Sequence, residues 1–250
     1  IGGQFYYASR NPWGEGSGKF WDDEEFMRYV DYLKAQCDKF GAKIVLNTPV
    51  TKELLEKEKP DSLVLATGAV PEVPDVPGAD KPHVVSMFDI FTGKVEPGKN
   101  VVILGGSGAA ISLCLYVIDK QEKLGIKDGS IAMIDPAARF GWDVNPSYIW
   151  RYRLRLTQAK VNQLTYGKVK EITDTGVVAD WVIVNRKTKE KQEFKDQTVP
   201  ADTVILATLT PNRELSYGSF KGDTAMIGDC VWVRRGIDAI QDGYRLGMRF

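Results

Sequence analysis

The chain has little of what builds metal centres and redox-active disulfides. Its 250 residues include three cysteines, Cys37, Cys114 and Cys230, which lie far apart and form no CxxC pair. A redox disulfide and a zinc ribbon are therefore unsupported. The one histidine, His83, cannot form a histidine metal site alone, and in a proline-rich loop it is expected to be structural or solvated. We predict no metal site, and the free cysteines favour a reducing cytoplasm.

The chain also lacks an excess of charge of either sign. It carries 33 basic and 33 acidic residues, so nothing in the balance favours nucleic acid or an acidic membrane surface. Residues 101–118 contain no charge and approach the length of a membrane span. A glycine cluster interrupts this run and favours a buried strand–turn–helix instead. We predict neither a nucleic-acid partner nor a membrane span.

Strands and helices alternate between residues 99 and 212, which we interpret as a nucleotide-binding section. Strands are predicted at 99–104, 130–134 and 203–207, helices at 109–123 and 148–160, and a β-meander from 177 through 195. Such alternation predicts an α/β fold with a Rossmann-like, doubly wound parallel sheet in three layers.

The flanking sections, residues 1–98 and 213–250, carry less complete patterns. Their predicted elements are a glycine- and tryptophan-rich loop at 1–19, helices at 23–40 and 235–248, a short strand at 43–46, and a rigid proline-rich crossing at 71–82. The segments 61–68 and 224–229 are each predicted as a strand that ends in a glycine turn. Core packing is expected for most of the six tryptophans, Trp13, Trp21, Trp142, Trp150, Trp181 and Trp232.

A glycine turn follows the first strand of the nucleotide-binding section. A dinucleotide pyrophosphate needs a tight turn, bare backbone close to its phosphates and a helix N-terminus aimed at them. In the G-x-G-x-x-G pattern, Ser107 takes the second glycine position, where its Cβ crowds the phosphate, and Ala110 takes the third. We favour nucleotide binding over a turn without a ligand. The predicted site residues are Gly105, Gly106, Ser107, Gly108 and Ala109.

An acidic residue ends the second predicted strand. Asp135 could accept hydrogen bonds from both ribose hydroxyls of NAD and repel a 2′-phosphate. It could equally cap the turn that begins at Pro136. Arg139 nearby could instead bind a 2′-phosphate, so the choice between NAD and NADP stays open.

Short glycine motifs recur in a set order along the whole chain. They are Gly2-Gly3-Gln4, Ala66-Thr67-Gly68, the turn at Gly105 and Gly228-Asp229. Each is weak alone, but their order and spacing resemble the flavoproteins that have two dinucleotide-binding domains. More narrowly, the chain resembles the C-terminal FAD- and NAD(P)-binding region of the 2,4-dienoyl-CoA reductase, trimethylamine dehydrogenase and histamine dehydrogenase group of NADH:flavin oxidoreductases.

This resemblance implies an NAD(P)- or ADP-binding domain, residues 99–212, inserted in a partial FAD-binding domain formed by 1–98 and 213–250. It implies that Gly2, Gly3 and Gln4 lie along the flavin or its phosphates, that Thr67 and Gly68 pass near the adenosine, and that Gly228 and Asp229 meet the ribityl–pyrophosphate. It also implies an upstream TIM barrel carrying FMN, with a 4Fe–4S cluster in the connection. We therefore expect Ile1 to be a cut edge that leaves the FAD site incomplete.

Three functions are compatible with this interpretation. The first is electron transfer from NAD(P)H to FAD and onward, in a cytoplasmic oxidoreductase of which this fragment alone is inactive. No catalytic acid–base pair is expected. The second is a degenerate ADP-binding scaffold of an amine dehydrogenase, because 207–212 lacks the glycine usual before Pro-Asn. The third is a non-catalytic interaction domain with exposed tryptophans. A homo-oligomer is left open.

Overall fold

The computed structural model describes residues 1–10, 23–185, 187–213 and 220–249, so Trp13 and Trp21 lie outside the described residues. The chain forms two compact units. The first gathers Ile1–Ser9, Glu24–Val70 and Leu209–Phe250, and the second is formed chiefly by Pro71–Thr208. The proline-rich crossing thus goes with the second unit.

The helices of the described residues are α1 (Gln4–Ala8), α2 (Asp23–Lys39), α3 (Lys52–Glu58), α4 (Met87–Phe91), α5 (Gly108–Lys123), α6 (Pro146–Gln158) and α7 (Gly236–Gly247). The strands are β1 (Ser62–Leu65), β2 (Ala69–Pro71), β3 (Val84–Ser86), β4 (Asn100–Leu104), β5 (Ser130–Ile134), β6 (Asn162–Leu164), β7 (Lys168–Thr173), β8 (Gly176–Val184), β9 (Lys191–Pro200), β10 (Thr203–Leu206), β11 (Leu209–Pro211) and β12 (Asp223–Met226).

The second unit is built on a five-stranded parallel sheet. Its strand order is β3-β10-β4-β5-β6, with every neighbouring pair parallel. Helices α5 and α6 follow β4 and β5 along the chain, as in right-handed β-α-β crossovers. The prediction of a Rossmann-like, doubly wound sheet is confirmed. The β-meander is confirmed as the antiparallel sheet β7-β8-β9.

The core of the second unit follows the two-residue period of its strands. Val102, Leu104, Ala132 and Ile134 share one face and pack with the meander residues Ile172, Val177 and Ala179. The alternate residues Val101, Ile103, Ile131 and Met133 are buried too. Helix α5 buries seven apolar side chains: Ala110, Ile111, Leu113, Cys114, Leu115, Val117 and Ile118. Both faces of this sheet are therefore covered.

The uncharged run 101–118 divides between β4 and α5, as the glycine cluster predicted. In the described ranges, no helix combines the length and the apolar character that a membrane crossing requires. The helix begins at Gly108, one residue before the predicted start, because Ser107 caps it.

The first unit has a far smaller core. Strand β1 pairs in parallel with β12 alone, and the apolar residues buried among its described residues are Val30, Leu65, Ala69 and Cys230. The helix predicted at 23–40 is confirmed as α2. The strand predicted at 43–46 is wrong, because residues 43–46 pair with no strand in the described part of the chain. Ile44, Val45 and Leu46 are instead exposed.

The N-terminal segment and the tryptophans also differ from the predictions. The loop predicted at 1–19 contains the short helix α1, in which Phe5 N donates to Gly2 O at 3.0 Å. The expected core role of the tryptophans is wrong for most of those described: Trp142, Trp150 and Trp232 are exposed by 55%, 57% and 72%. Trp181 alone of the four described is partly buried, stacked on Phe194 with ring centres 5.2 Å apart.

Candidate functional site

The glycine turn lies at the point where the strand order reverses. Strand β4 has β5 on one side and the later strand β10 on the other. In open α/β sheets a ligand-binding crevice forms at the carboxyl ends of strands at such a point. Gly105 leaves β4 with φ of 138°, and a Cβ there would approach Ala207 C and Thr208 N to 3.0 Å. Only glycine allows the backbone to turn this close to the end of β10.

Ser107 has a role that the motif comparison did not give it. Its backbone is extended, with φ of −67° and ψ of 171°, and its hydroxyl oxygen accepts from Ala110 N at 3.3 Å. Ser107 is therefore the N-cap of α5, and serine is among the residues preferred there. The departure from glycine stabilises the helix N-terminus that would meet a phosphate. Ala109 occupies the second position of that helix.

A carboxylate that the sequence analysis missed lies on the same turn. Asp143 Oδ1 accepts from Gly108 N at 2.8 Å, across 35 residues of sequence. Gly141 N donates to Gly106 O at 2.6 Å, which holds the neighbouring backbone against the turn. In the sequence, Asp143 is recognisable as an acidic residue that lies two positions before Asn145, the N-cap of α6. This position alone does not predict a hydrogen bond with Gly108.

Asp135 is 6% exposed at the end of β5, beside the glycine turn. Its Oδ1 accepts from Ala137 N at 2.8 Å, which is the turn-capping alternative. Burial raises the pKa of this carboxyl, while hydrogen bonds from the amides of Ala137 and Gly106 oppose the rise and the charge of Asp143 adds to it. Ribose binding by Asp135 stays a prediction, as does phosphate binding by the exposed Arg139.

The first unit brings two of the predicted FAD motifs toward each other and places the first of them beside the start of α7. Gln4 Nε2 lies 3.8 Å from the position that a Cβ of Gly68 would occupy. The ring of Phe5 lies 3.3 Å from the equivalent position of Gly236, the first residue of α7. Gly2 packs on the side chain of Val30 in α2. Gly3, the N-cap of α1, starts the short helix that places Gln4 and Phe5 there.

The residues that follow β1 are hydrogen-bonded to Asn212, which follows β11. Thr67 Oγ1 donates to Asn212 O at 2.6 Å, and Asn212 N donates to Gly68 O at 2.9 Å. The segment 224–229, predicted as a strand that ends in a glycine turn, is β12 followed by a single 3₁₀ turn at Gly228–Cys230. This turn places Asp229 ahead of α7.

Charged side chains organise the Gly228–Asp229 turn. Asp229 Oδ1 accepts from Arg234 N at 3.0 Å. Gly228 N donates to Asp242 Oδ2 at 3.1 Å, and Asp242 also pairs with Arg234. The turn is thus held in place ahead of the N-terminus of α7, an end of a helix that favours negative charge. This arrangement fits one side of a phosphate-bearing cofactor.

The two sets of residues fit dinucleotides in different degrees. The second unit offers a glycine turn and a 16-residue helix at the switch point of a parallel sheet, although Asp143 already accepts from the first helical amide. The first unit offers the motifs around Gly68, Gly228 and Gln4. Among the described residues, the sheet beside these motifs has two strands, β1 and β12, and not five.

Comparison with known proteins identifies the family of this chain. The family described as "Pyridine nucleotide-disulphide oxidoreductase" matches residues 23–236. A metal reductase of Desulforamulus reducens is 25% identical over all of this chain and 39% of its own length. An NADH oxidase of Thermoanaerobacter brockii is 26% identical over 98% of this chain and 35% of its own length. The chain therefore spans between one third and two fifths of these relatives.

Solved structures agree with the sequence matches. A 2-naphthoyl-CoA reductase bound to 2-naphthoyl-CoA superposes with a TM-score of 0.80 and 29% identity, over all of this chain and 34% of that one. Histamine dehydrogenase from Rhizobium sp. 4-9 shares the fold, with a TM-score of 0.67 and 17% identity over 96% of this chain and 37% of that one. The resemblance drawn from the short motifs is confirmed.

Proposed function

This chain belongs to the pyridine nucleotide-disulphide oxidoreductase family, and from that premise we propose that it is the FAD- and NAD(P)H-binding region of a longer NADH:flavin oxidoreductase. The observation that supports this most directly is the turn at Gly105, which lies at the switch point of a parallel sheet and opens into α5. When bound, the flavin supplies hydride acceptance from NAD(P)H and single-electron release to further centres.

In this proposal the chain's own residues bind and orient the cofactors. The N-terminus of α5 holds the pyrophosphate of the nicotinamide nucleotide, and Asp135 orients its adenosine ribose. Asp229 and the N-terminus of α7 hold the ribityl–pyrophosphate of FAD, with Gln4 and Thr67 alongside. These groups supply position and electrostatics rather than an acid or a base.

We further propose that a segment outside this chain completes the first unit. Parallel strands are normally buried on both faces, yet Val64 of β1 is 41% exposed and Met226 of β12 is 39% exposed. Helix α7 has no buried residue and exposes an apolar stripe, Ile237, Ile240, Tyr244 and Met248. A strand and helix packed here would cover these surfaces.

The parent protein is proposed to carry further redox centres outside this chain. The resemblance stated above assigns FMN in a TIM barrel and a 4Fe–4S cluster to the remainder, and the chain spans 39% of the metal reductase and 35% of the NADH oxidase. The names of the relatives cover a metal reductase, an NADH oxidase and a 2-naphthoyl-CoA reductase. Because these names describe different activities, we assign the choice of substrate to the remainder. We also place the protein in the cytoplasm.

Two other functions each have one supporting observation. An ADP-binding scaffold is supported by residues 207–212, where Thr210 stands directly before Pro211 in place of the glycine that the resembling group has there. An interaction domain is supported by the exposed rings of Trp142, Trp150 and Trp232. Neither observation accounts for the turn at Gly105.

Calorimetric titration of this chain with NADH, NADPH and ADP tests the proposal. We expect a reduced nicotinamide nucleotide to bind, and Gly105→Ala to weaken its binding about tenfold or more, because the added Cβ meets the end of β10. Gly125→Ala is the matched control, since Gly125 also has a positive φ, of 72°, but open space around it. Binding of ADP without either reduced nucleotide would favour the scaffold function, and equal binding by Gly105→Ala would place the site elsewhere.

A further inference from the structure

The glycine turn carries an internal carboxylate at the place where a dinucleotide phosphate is expected. We propose that Asp143 competes with the dinucleotide phosphate for the N-terminus of α5, so that nucleotide binds only when residues 142–144 move away from the turn. This inference rests on the proposed function, because it concerns the same site. It goes further by assigning to Asp143 the control of access to that site.

The contact of Asp143 is with a backbone group that phosphates use. Gly108 is the first residue of α5, and the first amides of a helix have no acceptor within the helix itself. A carboxylate at 2.8 Å satisfies Gly108 N with a charge-assisted hydrogen bond, and it also meets the positive end of the helix dipole. A phosphate oxygen would satisfy the same donor in the same way. The two anions therefore exclude each other.

The segment that carries Asp143 also covers the bare backbone of the turn. A Cβ on Gly106 would lie 2.9 Å from the ring of Phe140, and one on Gly108 would lie 2.8 Å from Val144 Cγ2. These two glycines thus have protein side chains against them, where the dinucleotide motif requires free space for phosphate. Phosphate contact and this packing are alternatives at the same surface.

The tip of the segment can leave the turn without opening the core. Phe140 is 4% exposed and anchors one end, whereas Trp142 is 55% exposed and the side chain of Asp143 is exposed as well. Gly141 has φ of 68°, so a residue with unusual backbone freedom separates the anchor from the tip. Asn145 caps α6 and fixes the other end. Movement of residues 142–144 would therefore break the bond to Gly108 while Phe140, Gly141 and Asn145 stay in place.

Titration of ADP and inorganic pyrophosphate into matched variants tests this inference. Asp143→Ala removes the competitor, and we expect it to lower the Kd of ADP about tenfold. Asp143→Asn keeps an acceptor but loses the charge. Since neutral hydrogen bonds are about half as strong as charge-assisted ones, we expect a gain of about threefold. Asp128→Ala is the control: it removes one exposed carboxylate near the opposite end of β5, and we expect no change in Kd.

A second measurement locates the effect and checks the fold. The amide resonance of Gly108 is expected to shift when ADP is added to Asp143→Ala, and thermal unfolding shows whether each variant is folded. An unchanged ADP affinity in folded Asp143→Asn and Asp143→Ala, or a shift that avoids Gly108, overturns the inference. If Asp143→Ala gains ADP affinity but binds neither NADH nor NADPH, the proposed nicotinamide function fails while the role of Asp143 stands.

Discussion

The two units place parallel strands in opposite surroundings. In the second unit, Val101, Val102 and Ile103 of β4 are each no more than 1% exposed. Strand β4 is paired with β10 and β5 at its two edges, and other elements cover both faces of the sheet. In the first unit, β1 and β12 have each other as their only strand neighbour among the described residues, and Val64 and Met226 stay about two fifths exposed. Parallel strands are normally buried on both faces, so the second unit follows this rule and the described residues of the first unit depart from it.

The helices that follow the two glycine motifs repeat this contrast. Helix α5 buries Ala110, Leu113, Cys114 and Val117 completely, so the helix N-terminus at Ser107 is fixed against a rigid sheet. Helix α7 buries none of its described residues, and charged contacts such as Arg234 with Asp242 hold the turn before it. The N-terminus of α5 is therefore held by the packing of its own helix, whereas the turn before α7 is held by charged contacts.

The largest expected difference between the units is in their response to core truncation. Ile103→Ala should lower the free energy of unfolding by about 3 kcal/mol, because it leaves a cavity in a fully buried sheet. Ile237→Ala, at a side chain that is 56% exposed, should change it by less than about 0.5 kcal/mol. Urea unfolding of both variants measures this. Similar losses would mean that α7 is covered by protein, and the contrast between the units would fail.

A smaller effect is expected at the cap of α5. Ser107→Ala should lower the free energy of unfolding by about 1 kcal/mol, because the amide of Ala110 loses its acceptor. Ser107→Gly restores the glycine of the dinucleotide motif and should cost only a few tenths of a kcal/mol, since glycine is tolerated at N-caps. Chemical unfolding of the two variants side by side distinguishes them. A loss in Ser107→Gly as large as that in Ser107→Ala would argue against the capping role.

The smallest expected effect is a pH dependence from Asp135. Burial raises the pKa of its carboxyl in the folded chain, so the folded state keeps a proton at pH values where the unfolded state has released it. The unfolding free energy then falls as pH rises through the raised pKa. Asp135→Asn removes this fall and keeps the acceptor for Ala137 N.

Urea unfolding at about pH 4 and about pH 7 measures this dependence. We expect the difference between the two pH values to be smaller in Asp135→Asn than in the unmodified chain, and unchanged in Asp128→Asn at an exposed carboxyl. If Asp135→Asn has the same dependence as the unmodified chain, the buried carboxyl does not contribute to it.

Sequence reasoning succeeded where neighbours along the chain decide the structure. The strand at 130–134 and the helix at 23–40 were predicted within a residue, because their apolar periodicity and capping residues are local. It failed at 43–46, where β-branched residues suggested a strand, because a strand also needs a partner to pair with. It failed for Trp142, Trp150 and Trp232 for a related reason: a large apolar side chain is buried only where another element covers it.

The sequence by itself determined the parallel architecture of the second unit, the turn at Gly105 and the order of motifs that identifies the family. Only the tertiary structure decided what meets that turn. The bond from Gly108 N to Asp143 joins residues 35 apart and depends on how β4, α5 and the segment before α6 pack together. The exposure of the strands in the first unit was decided in the same way, because burial is a property of neighbours in space and not of neighbours in sequence.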